Sequence, residues 1–116
     1  MILHCSWENK DSDDIRKDRI FQSIDKLLEL TDRCNKNEFV ILAEGRFGLL
    51  GKYGPSLIQV CATEYGWIVE YVTESKTIMR SLRGVSIDQV KEAFVSFLEG
   101  NENYKTLLAW ESHKKK

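Results

Sequence analysis

At 116 residues, 42% apolar and 30% charged, with a net charge of −1, the chain has the length and balance of one soluble globular domain. Near-neutrality removes any global electrostatic case for nucleic acid or an anionic membrane as partner. Its cysteines, Cys5, Cys34 and Cys61, are an odd number without close pairing, and residues 1–20 hold no apolar leader; this reads as a cytoplasmic protein with reduced thiols.

The ends, about residues 1–10 and 112–116, are expected to be disordered, although Ile2, Leu3, Cys5 and Trp7 would also suit a short strand. Asp11, Ser12 and Asp13 are N-cap candidates for a helix from Asp14 to about Cys34. Within it, Ile20, Ile24, Leu27 and Leu28 fall on one stripe. The apolar, β-branched run Glu38–Ala43 predicts a strand, expected at a sheet edge. Gly45, Gly48, Gly51 and Gly54 follow, closed by Pro55. This stretch lacks the Gly-Lys-Ser/Thr ending of a phosphate loop, since Tyr53 follows Lys52, and it reads as a wide connecting loop.

Ser56–Thr63, Gly66–Thr73 and Lys76–Leu82 predict three antiparallel strands joined by short turns. Ser86 with Gln89 three residues later is a capping box, and Val90, Ala93, Phe94, Phe97 and Leu98 mark the apolar face of a second helix that Gly100 ends. Tyr104, Leu107, Leu108 and Trp110 should bring the tail back onto the core. The predicted fold is therefore α+β in α-β-β-β-β-α order: an antiparallel sheet of about four strands with two helices packed on one face, in a single domain spanning residues 1–116.

Nothing in the chain converges for chemistry. His4 and His113 lie near the ends without a metal-ligand neighbour at a recognisable interval, and no serine sits in a nucleophile elbow. No catalytic, metal-binding or cofactor-binding residue is predicted. Cys61, inside a strand, reads by default as buried core. Acidic Glu64, Glu70 and Glu74 beside Trp67 and Tyr71 argue against nucleic-acid stacking there.

Side-chain alternation is more informative. Trp67, Val69 and Tyr71 share one sheet face, which we assign to the helices. Ile68, Glu70 and Val72 share the other, joined by Gln59 and Cys61 or their neighbours, and by Arg80. That second face is too apolar for plain solvent surface: either a partner meets it, or the N-terminal strand or the Tyr104–Trp110 tail covers it. With the turn residues, this makes Tyr53, Gln59, Glu64, Tyr65, Glu70 and Arg80 the candidate partner-binding residues.

Phe39–Leu42, Leu57–Gln59, Val69–Tyr71, the Ser86–Asn101 helix and Trp110 together resemble small immunity proteins of bacterial polymorphic toxin systems. The resemblance spans residues 38–110. It implies a cytoplasmic protein that binds and neutralises a cognate toxin domain, without cofactor or catalysis. On that reading the expected partner is a nuclease or other basic toxin, reached by acidic and aromatic residues. Contact surfaces in such families diverge, so it carries over no contact residue. The alternatives are a small-ligand-binding or regulatory domain with the Gly45–Pro55 loop as a lid, and a homodimeric structural module.

Overall fold

The computed structural model describes residues 2–11, 15–32, 38–43, 56–63, 66–72, 77–82 and 85–113. The elements run β1 (Ile2–Cys5), β2 (Glu8–Asp11), α1 (Lys17–Asp32), β3 (Phe39–Ala43), β4 (Leu57–Thr63), β5 (Gly66–Val72), β6 (Ile78–Ser81), α2 (Ile87–Glu99), α3 (Tyr104–Leu107) and β7 (Trp110–His113). One sheet holds all seven strands in the order β2-β1-β3-β4-β5-β6-β7, and every neighbouring pair is antiparallel. The α+β class is as expected. Among the described residues, however, the sheet has seven strands rather than about four, and α3 adds a third helix.

The differences lie at the ends. Residues expected to be disordered form the β1–β2 hairpin, and Asp11, offered as a helix cap, is in β2. Hairpin and β3 are stitched together by Ser6, whose N–H donates to the Phe39 carbonyl at 3.2 Å and whose Oγ accepts the Phe39 N–H at 3.3 Å. Because β1 occupies its outer side, β3 is an inner strand and not an edge. At the opposite end, residues 112 and 113 belong to β7, which pairs with β6. Both added edge strands are four residues long and mostly polar, as protected edges tend to be.

The helices follow their sequence signals. In α1, Ile20, Ile24 and Leu27 have no exposed surface, whereas Leu28, one position further round, is exposed. In α2, Ser86 Oγ accepts the Gln89 N–H at 3.1 Å and Gln89 Oε1 accepts the Ser86 N–H at 2.9 Å. This reciprocal cap satisfies two otherwise orphaned donors. Gly100 closes the helix at φ 78°, a left-handed conformation that a Cβ disfavours, and its N–H reaches the Phe97 carbonyl. No helix of the described residues is long and apolar enough to cross a membrane.

Both long helices pack on the same sheet face. The core joins Ile20, Ile24 and Leu27 of α1 and Val90, Ala93 and Phe94 of α2 to Leu3, Val40, Leu42, Ile58, Val60, Val69 and Tyr71 of the sheet. The tail locks onto this layer through Ser96, whose hydroxyl is hydrogen-bonded to Asn101 Oδ1 and accepts the Tyr104 N–H at 3.0 Å. Tyr71 meets Tyr104 and Trp110 edge-on, with centroids 5.1 and 4.7 Å apart. Trp110 Nε1–H donates to the Tyr104 carbonyl at 3.1 Å. Aromatic pairs in this geometry add about 0.5–1.5 kcal/mol each beyond their buried area.

Candidate functional site: the open sheet face

The face opposite the helices is ordered by register. Its middle row runs His4, Ile41, Gln59, Glu70, Arg80 and Glu111 from β1 to β7. One flanking row is Phe39, Cys61 and Ile68; the other is Ala43, Leu57, Val72 and Ile78. None of these apolar side chains belongs to the core cluster or packs against it; Phe39, Leu57, Cys61, Ile68, Val72 and Ile78 are half-buried, whereas Ile41 and Ala43 of β3 are buried. A polar line between two apolar rows is the outcome of strict strand alternation. The expectation that the N-terminal strand or the tail covers this face does not hold among the described residues. Both instead lengthen the sheet, and α3 sits on the helix side against Phe97 and Tyr71.

Three predicted partner-binding residues meet here. Gln59 Nε2 donates to Glu70 Oε1 at 2.7 Å. Arg80 donates to Glu70 Oε2 through Nε at 3.1 Å and Nη2 at 3.0 Å. The ion pair is asymmetric in exposure: 36% for the Arg80 side chain and 14% for that of Glu70. Strands β4, β5 and β6 each contribute one member, so the cluster forms only when both registers are correct. Tyr53, Glu64 and Tyr65, and the whole Gly45–Pro55 loop, lie outside the described residues. Sequence reasoning missed Phe39, Leu57 and Ile78, which the same parity rule would have placed here, and Glu111, which needs β7.

Cys61 corrects an expectation. It is half-buried on the open face, between Phe39 and Ile68, and not in the core. The reading from residue type gives way to the parity reading, which already offered Cys61 to this face alongside Gln59. Its thiol is pushed above the ordinary value of 9.0, first by burial and then by the Glu70 charge, with Arg80 pulling the other way. The Tyr71 hydroxyl is raised above 10.0, mainly by burial, with Lys105 lowering it and Glu102 adding to the rise. Each group therefore loses its proton more readily in the unfolded chain. Stability from these groups is fully present below their ordinary values and is lost as pH rises through the folded ones. Urea unfolding across a pH series should show a decline setting in above about pH 9. Cys61→Ala should remove the earlier part of that decline; an identical profile would contradict the assignment.

Among the described residues, hollows also lie elsewhere. An open groove of about 670 Å³ runs along α1, α2 and α3, lined by Phe21, Val95 and Leu107 and by the charged Lys17, Lys91 and Glu99 among others. Lys91 is committed there, paired with Asp25 at 2.8 Å and placed over the Phe21 ring. A smaller one of about 210 Å³ lies between Trp7 and α1. Among the described residues, no three His, Cys, Asp or Glu side chains are grouped to hold a metal ion.

The chain matches no protein family, no curated protein and no solved structure. The functional reading therefore rests on the open face itself.

Proposed function

We propose that this is a non-catalytic protein-binding domain that docks a partner on its open sheet face and, in line with the resemblance to small immunity proteins, neutralises a toxin domain. One observation carries the reading: a hydrogen-bonded Gln59–Glu70–Arg80 row flanked by apolar rows on a face that no described helix covers. Protein interfaces combine such an apolar surround with a few fixed polar groups, and arginine is among the residues enriched at their centres.

The test is capture of a partner by the tagged protein in its native cells, followed by reconstitution from purified components. A 1:1 complex that survives high salt, with the partner's growth-arresting activity abolished on co-expression, is the expected result. Return of the bait alone, or a partner whose activity is unaffected, contradicts the toxin reading. Sizing of the free chain separates it from a homodimeric module.

A further inference from the structure

We infer that Arg80 reads a carboxylate on the partner's surface, and that Glu70 and Gln59 are positioning residues holding its guanidinium ready. This rests on the reading of the open face as the docking surface, and it reverses the expectation that acidic residues there reach a basic partner.

Glu70 is poorly placed to take a partner's cation. A carboxylate offers about four acceptor sites, and three are filled, one by Gln59 and two by Arg80. It is also the more covered member of the pair. Arg80 is the reverse. Of five N–H donors on a guanidinium, two go to Glu70. The other three, both on Nη1 and one on Nη2, bond to no described residue. The group shown to an approaching partner is therefore a guanidinium with one edge fixed and another free. That free edge suits the two oxygens of an Asp or Glu side chain, because the planar fork pairs with a carboxylate through parallel hydrogen bonds.

The surroundings strengthen such a contact. Ile68 and Cys61 lie in the row on one side, Val72 and Ile78 in the row on the other. A partner closing over these side chains would exclude water from the ion pair, the arrangement typical of an interface centre. Anchoring by Glu70 and Gln59 also means that little side-chain entropy remains to be lost on binding. The partner is thus specified by its chemistry: an apolar protein surface bearing a central carboxylate. One charge opposes it. Glu111 lies opposite Arg80 on β7 and is exposed, while the guanidinium bonds to Glu70. Removing that charge should tighten binding.

The probe is sodium propionate, a carboxylate with a short apolar tail, titrated into the ¹⁵N-labelled full chain against sodium chloride at matched ionic strength. Saturable shifts are expected at the Arg80 Nε–H and at amides of residues 68–72 and 78–81. Arg80→Gln should weaken the response about tenfold or more, and Glu111→Gln should strengthen it about twofold. If Arg80→Gln loses the dispersed spectrum of a folded chain, Arg80→Lys keeps the charge but not the fork and should show the same weakening. Shifts equal to those from chloride, shifts mapping to the helices, or a response unaltered by substitution of Arg80 would overturn the inference. A propionate response without any captured protein would leave Arg80's role standing and remove the toxin reading. A captured partner that binds Arg80→Gln with undiminished affinity would do the opposite.

Discussion

Replacing Val69 by aspartate is expected to unfold the protein. Val69 lies within β5 with no exposed surface, inside the core cluster, and its N–H donates to the buried Ser81 Oγ at 2.9 Å. An aspartate there must bury an ionised carboxylate or stay protonated among apolar neighbours. Either way, lost apolar burial adds to an unpaired polar group, for a cost of about 5 kcal/mol or more. Domains of this size have about 5–15 kcal/mol in all. Near-UV circular dichroism and urea titration at 25 °C should show no cooperative transition. Ile68→Asp is the control, one residue away on the half-buried open face. It should keep a cooperative transition and cost about 1–2 kcal/mol. If Ile68→Asp unfolded and Val69→Asp did not, the two sheet faces would be exchanged.

Phe94→Ala should give the second largest effect. Phe94 has no exposed surface and is in the core cluster on α2, which lies against β4 and β5. Truncating a buried phenylalanine removes its transfer free energy and leaves a cavity, at a cost of about 3–5 kcal/mol. The urea midpoint should fall sharply with an unchanged slope. Leu28→Ala, on the exposed side of α1, should cost less than about 1 kcal/mol. A loss of that small size at Phe94 would mean that α2 does not seal the core.

Much of this was legible because the signals are local. The capping box of α2, its apolar face and its terminal glycine all lie within fifteen residues. Strands β4 and β5 alternate or run apolar between turn residues, and parity alone sorted Val69 and Tyr71 from Ile68, Glu70 and Val72. Parity also brought Glu70 and Arg80 together with either Gln59 or its neighbours, because antiparallel strands joined by short turns pair in a restricted set of registers; the β4–β5 register selects Gln59.

What stayed hidden depends on distant contacts. β2 is Glu-Asn-Lys-Asp and β7 is Trp-Glu-Ser-His, neither with the apolar alternation of a half-buried strand. Their backbones are ordered by β1 and β6, so their own propensity counts for little. β1 joins β3 across α1, and β7 joins β6 across α2 and α3. Such pairings leave no mark in a sequence window. Cys61 drew two readings: residue type suggests core burial, strand parity suggests the open face, and the register follows parity.

The most direct test of the open face as the docking surface is methyl cross-saturation between the captured partner and Ile/Leu/Val-labelled protein. The predicted result is attenuation of Leu57, Ile68, Val72 and Ile78, with Leu28, Val95 and Leu107 on the helix side unaffected. Attenuation of the helix-side methyls, with the sheet-face methyls unchanged, would contradict it.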